Sequence, residues 1–65
     1  MNLIINGEKR EIESKMTLLN LLLLLGATEP YAVAVNHSFV PRNQCDEIIL
    51  ADGDQIEILS PIQGG

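Results

Sequence analysis

Apolar positions enter this chain at two different periods. Residues 2–5, Asn-Leu-Ile-Ile, read as a short strand with Leu3 and Ile5 on one face and Ile4 on the other. Asn6-Gly7 follows. Both residues tolerate positive φ, as the two central positions of a tight hairpin require. Residues 9–13 are therefore expected to return antiparallel. Ile12 is the only apolar residue of that return, which predicts a half-exposed strand. From Leu18 the spacing becomes helical. Thr17 is placed to cap the helix by accepting a first-turn N–H. Gly26 is placed to end it, because glycine enters the left-handed cap conformation without steric cost. Over residues 18–25, Leu18, Leu21, Leu22 and Leu25 share one face, while Leu19 and Leu23 fall toward the other. A helix apolar all round is either deeply buried or covered by something else. In a chain this small, some of those leucines are expected to stand exposed or to meet a partner.

Alternation returns after a loop at residues 27–30. Residues 31–36 predict a strand with Val33 and Val35 on one face. A turn at Asn36-His37-Ser38 leads to a short returning strand at Phe39-Val40, closed by Pro41. Residues 42–47 suit a turn of helix, and residues 48–50 a short extended piece. Asp52-Gly53-Asp54 is a turn, since Asp bonds to nearby backbone and Gly supplies the free dihedral. Residues 55–59 form the last strand, with Ile56 and Ile58 facing in and Glu57 and Leu59 facing out. The order is hairpin, helix, strand, short strand, strand. That order predicts an α+β domain with one main helix across one face of a small mixed sheet.

Composition narrows the picture. A domain of 65 residues buries only ~60% of the surface that its unfolded chain exposes. It needs a dense aliphatic core, and 46% of its residues are hydrophobic. Cys45 is the only cysteine, so no disulfide forms within the chain. One Cys and one His fall short of the usual zinc ligand set, and no metal or bound cofactor is expected. No apolar run approaches the ~20 residues of a membrane span. The first residues lack the basic start and cleavage site of a signal peptide. A cytoplasmic protein without a membrane partner is expected, monomeric when free. Net charge is −5, and its placement is uneven. Residues 1–43 balance four bases against four acids, whereas Asp46, Glu47, Asp52, Asp54 and Glu57 have no basic neighbour in residues 44–65. Phosphate backbones repel such a surface, and Tyr31 and Phe39 are the only aromatics available for base stacking. Nucleic acid is not an expected partner. The acidic third serves either solubility or steering toward a basic partner.

The candidate chemistry lies at the end of the sequence. Pro61 removes a backbone donor and stops the strand ladder, so residues 1–60 are expected to form the domain and residues 61–65 a flexible tail. Gly64 and Gly65 carry no side chains. A bare, extended backbone can thread a narrow tunnel, with Gly65 bearing the reacting carboxylate, Gly64 and Gln63 lying in the tunnel, and Ile62 anchoring its mouth. An α-carboxylate, with a reference pKa of ~3.5, is charged at neutral pH and a poor electrophile, so it must be activated, for instance as an acyl-adenylate. Cys45 is a weak rival for this chemistry, because the acidic Cys45-Asp46-Glu47 stretch raises a thiol pKa. His37 reads as a surface residue of a turn. The carboxylates lack the nucleophile or phosphate loop that acid–base catalysis would need. If first and last strands lie side by side, outward Ile4 and Leu59, with Glu57 at their rim, would form a docking patch near the tail.

Asn6-Gly7, Ala34-Val35-Asn36 with Phe39-Val40-Pro41-Arg42, Asp52-Gly53-Asp54-Gln55-Ile56-Glu57-Ile58-Leu59 and the closing Pro61-Ile62-Gln63-Gly64-Gly65 together resemble the sulfur carrier proteins of thiamine biosynthesis, the ThiS family. The resemblance covers essentially the whole chain and keeps the motif order. His37-Ser38 departs from the Gly or acidic residues common at that turn, and the leucine run is denser than usual. The resemblance implies a ubiquitin-like β-grasp fold and a carrier without a catalytic site. It also implies a cycle in which a ThiF-like enzyme adenylates Gly65 with ATP. Sulfur drawn from cysteine through a desulfurase then makes a thiocarboxylate, and thiazole synthase takes up that sulfur. A carrier for molybdopterin or another acceptor, a protein modifier joined to lysines, and a non-reactive RNA-binding β-grasp module remain the alternatives.

Overall fold

The computed structural model describes residues 1–12 and 15–59. Its elements are β1 (Asn2–Ile5), β2 (Glu8–Glu11), α1 (Leu18–Leu24), β3 (Ala32–Val35), β4 (Ser38–Phe39), a 3₁₀ turn (Arg42–Gln44) and β5 (Gln55–Leu59). The strands form one sheet in the order β2-β1-β5-β3-β4. The central β1–β5 pair is parallel, and the other pairs are antiparallel. The sheet is therefore mixed, and the first and last strands do lie side by side. Alternation decides which face is buried. Leu3 and Ile5 of β1, Val33 of β3 and Ile56 of β5 join Leu18, Leu21 and Leu22 of α1 in one core, closed by Val40, Cys45 and Leu50. One helix packed on one face of this sheet is the β-grasp architecture.

The helix ends are built as the sequence predicts. Thr17 Oγ1 accepts the Asn20 N–H at 3.1 Å. At the other end, Gly26 (φ 74°) donates to Leu23 O at 3.1 Å and Ala27 donates to Leu22 O at 3.0 Å. That pair of bonds is a Schellman cap. The helix stops one residue short of the expected range, because Leu25 serves as the cap residue and is only partly buried. Leu19 is half-buried, whereas Leu23 and Leu24 are exposed.

Two strands differ from expectation. The second strand spans Glu8–Glu11, and every residue in it is exposed rather than half-exposed. Its inward positions are Glu8 and Arg10, opposite Ile5 and Leu3. It forms one edge of the sheet, where charged side chains discourage pairing with a second chain. Ile12 lies just beyond it and donates its N–H to Met1 O at 2.8 Å. The short strand β4 begins one residue earlier than its apolar pair suggests. Asn36 (φ 51°) and His37 (φ 71°) occupy a two-residue hairpin loop, so Ser38 faces Val35 and Phe39 faces Ala34. Residues 48–50, expected as a short extended piece, contribute one isolated bridge, Thr17 to Ile49.

Candidate functional site

Strand β5 leads directly into the segment that carries the candidate chemistry. Ser60 and the tail residues Ile62, Gln63, Gly64 and Gly65 lie outside the described residues, as does the boundary expected at residue 60. The structure does define how β5 is held. On one side it pairs with β3 in the register Ala32↔Leu59, Val33↔Ile58, Ala34↔Glu57 and Val35↔Ile56. On the other side β1 stops at Ile5, and the turn residue Asn6 continues its work. Asn6 N–H donates to Ile56 O at 2.8 Å, and Asn6 Oδ1 accepts the Ile58 N–H at 2.8 Å. Asn36 does the same at the start of the strand. Its Oδ1 accepts the Gln55 N–H at 3.0 Å, and its N–H donates to Gln55 O at 2.7 Å. Both asparagines are legible in the sequence as turn formers. Their bonds to β5, about twenty to fifty residues away in the chain, have no local signal.

The outer face of the sheet, opposite α1, carries Ile4, Glu57, Leu59, Ala32, Ala34 and Phe39. The candidate docking residues Ile4, Leu59 and Glu57 share this face, but Ile4 and Leu59 do not meet. Ile4 stands level with Gln55, four residues before Leu59, an offset of about 13 Å at the usual strand rise. Leu59 is instead beside Ala32, and Glu57 is beside Ala34, which is beside Phe39. Phe39 and Leu59 are 67% and 73% exposed. Between them lies a trough of about 400 Å³ lined by Asn6, Ala32, Val33, Ala34, Phe39, Glu57 and Leu59. Sequence reasoning assigned Phe39 no face. The two-residue turn before it is the signal that could have done so, since turn length fixes hairpin register.

The acidic third resolves into two groups. Asp52 Oδ1 accepts the Asn2 N–H at 2.6 Å. Asp54 accepts the Ala51 N–H at 2.8 Å and the Asn36 side-chain amide at 3.0 Å. These two carboxylates tie the turn before β5 to its neighbours. Asp46, Glu47 and Glu57 make no such backbone bonds among the described residues. Glu57 Oε1 lies 3.7 Å from His37 Nδ1, with both side chains exposed. Arg42 pairs with Glu29 at 2.7 Å away from the trough. That exposed pair contributes no more than about 1 kcal/mol. No group of three or more His, Cys, Asp or Glu suited to a metal occurs among the described residues. No described helix is long and apolar enough to cross a membrane.

Cys45 is fully buried, and its Sγ lies 3.6 Å from Pro41 O. Burial pushes its thiol pKa up, and the nearby Asp46 charge adds to the shift. Local acidity alone predicts the direction, but burial is the larger cause. A thiol so placed is a poor nucleophile. The shift also has a stability consequence. An unfolded cysteine loses its proton near ~8.5, while the folded thiol keeps it to higher pH. Stability from this group is thus complete below the unfolded value and declines as pH rises above it. The urea midpoint is expected to fall between pH 7 and pH 10 by more in the native protein than in Cys45→Ala. Equal falls in the two proteins would contradict the buried, protonated thiol.

A model of the ThiS family matches residues 3–65. Thiazole synthases of Paramagnetospirillum magneticum and Magnetococcus marinus are each 39% identical to this chain over 66 residues. Each match takes in all of the chain and 20% of the relative, so the chain spans about a fifth of the length of these curated relatives. Among solved structures, the crystal structure of the thiamine biosynthesis protein ThiS of Geobacter metallireducens superposes with a TM-score of 0.85 at 28% identity, with all of both chains covered. The solution structure of a thiamine biosynthesis protein from the same organism gives the same TM-score and identity, covering all of this chain and 88% of that one.

Proposed function

Because this chain belongs to the ThiS family, we propose that it carries sulfur for thiamine biosynthesis, held as a thiocarboxylate on Gly65. The observation that carries this reading is the family match, which continues through the tail to residue 65. The state of Cys45 supports it, since the chain's only thiol is buried and kept protonated. A sulfur atom to be passed on is better placed on an accessible acyl group. The protein acts as a cosubstrate in the cytoplasm and has no catalytic site of its own.

The steps follow from acyl chemistry. In the active site of a ThiF-like enzyme, a carboxylate oxygen of Gly65 attacks the α-phosphorus of ATP and pyrophosphate leaves. A persulfide, supplied from cysteine by a desulfurase, attacks the acyl-adenylate and expels AMP. Reduction of the resulting acyl disulfide by a thiol releases the thiocarboxylate. Thiazole synthase then receives the sulfur. Similarity to two thiazole synthases favours that acceptor over molybdopterin. Gln63 and Gly64 thread the activating enzyme, Ile62 anchors the tunnel mouth, and ordering each costs roughly 1–2 kcal/mol that backbone contacts must offset. The outer face of the sheet, with Ile4, Glu57 and Leu59, docks the partners, and β5 connects that face to the tail.

Intact mass spectrometry tests the reading. The protein is first weighed as its native source makes it, to show that Gly65 is the last residue. It is then incubated with the activating enzyme, ATP, cysteine and a desulfurase. The expected product has one oxygen exchanged for sulfur, and thiazole synthase discharges it. Isopeptide adducts on other proteins would instead identify a modifier. A native chain continuing past Gly65, or no mass change, would overturn the proposal.

A further inference from the structure

We propose that the trough on the outer face of the sheet is a receptor for one arginine side chain of a partner protein, stacked on Phe39 and paired with Glu57. This deepens the reading of that face as a docking surface, and rests on it. The register sets Phe39, Ala34 and Glu57 in one row across β4, β3 and β5. Neighbouring strands lie about 4.8 Å apart, so Phe39 and Glu57 stand about 10 Å apart with only a methyl group between them. Ala32 lies beside Leu59 in the next row. Two alanines thus form a floor between two exposed apolar walls, Phe39 at 67% and Leu59 at 73%. The trough of about 400 Å³ accepts a side chain laid flat.

Charge decides which side chain. A partner covering this face must cover Glu57, whose side chain is exposed and whose Oε1 lies 3.7 Å from His37 Nδ1, itself 77% exposed. Covering a carboxylate with apolar groups leaves it desolvated and unpaired, which is costly. A cation removes that cost, and the excess of acids in residues 44–65 attracts one. Arginine fits better than lysine for two reasons. Its planar guanidinium stacks on an aromatic face within about 6 Å. The same group offers a fork of N–H donors to a carboxylate. Over Ala34 it reaches both, and its methylene stem covers the alanine floor and Leu59.

The test requires no partner. Amide NMR shifts of the intact protein are followed on titration with N-acetyl-arginine methylamide, and separately with the norleucine and lysine analogues. Arginine is expected to move Ala34, Phe39, Glu57 and Leu59 with a dissociation constant in the millimolar range. Norleucine should bind about tenfold more weakly, and so should arginine to Glu57→Gln or Phe39→Ala. Both side chains are exposed, so these variants should keep the native spectrum elsewhere. Equal binding of norleucine, tighter binding of lysine, shifts centred on Asp46 and Glu47, or no shifts would each overturn the proposal. The titration uses neither ATP nor sulfur, so its failure would leave the thiocarboxylate reading standing. Failure of thiocarboxylate formation would likewise leave the trough as measured.

Discussion

A protein carrying one alanine after Gly65 is expected to yield no detectable thiocarboxylate when incubated with the activating enzyme, ATP and a sulfur source. The added residue converts the Gly65 carboxyl into an amide. It also moves the terminal carboxylate about 3.5 Å further along the chain. Adenylation needs the attacking oxygen near 3–3.5 Å from phosphorus, and a misplacement of 1 Å alone costs about a hundredfold in rate. A loss of at least that size is expected. The fold should not change, because the core is built from residues 3–56, and surface changes away from it shift stability by about 0.5 kcal/mol or less. The measurement is intact mass over time beside a urea melt. Wild-type product from an extended chain that still ends in alanine would remove Gly65 from the mechanism.

The second large effect concerns stability. Leu21→Ala is expected to cost about 2–5 kcal/mol, the usual range for removing a buried leucine side chain. At about 0.05–0.15 kcal/mol per residue, a domain of this length holds only ~3–10 kcal/mol in total. The variant should therefore lose about a fifth or more of its total stability, with a clearly lower urea midpoint. Leu23→Ala provides the internal control. It lies two residues away on the same helix and changes the same atoms, but Leu21 is 0% and Leu23 67% exposed. The Leu23 variant should remain close to wild type. Urea titrations followed by circular dichroism compare the two. Similar losses would mean that the leucine run packs elsewhere than this fold places it.

That pair shows why helices are easier to find than to orient from sequence. Thr17, the leucine spacing and Gly26 mark the ends of α1 within a residue, because capping is local chemistry. The inner face of three leucines is also legible. The exposure of both Leu23 and Leu24 is not, since it follows from how much of the helix so small a sheet can cover. The candidate site divides in the same way. Glu57 and Leu59 point outward from β5 by alternation alone, and the parallel β1–β5 pairing sets Ile4 on the same face. That Phe39 rather than Ile4 completes the apolar wall follows from register, which depends on the turn at Asn36-His37 and on pairing between distant strands.

The order of elements, the buried alternation, the helix caps, the hairpin turns and the resemblance that points to Gly65 are all legible along the chain. The first four depend on residues within a few positions of one another, and the resemblance on the order of such local motifs along the chain. Left to tertiary packing were the sheet order, the anchoring of β5 by Asn6 and Asn36, the burial that silences Cys45, and the placing of Glu57 across Ala34 from an aromatic ring. Those depend on which distant segments come together, and that is settled by closing one shared core.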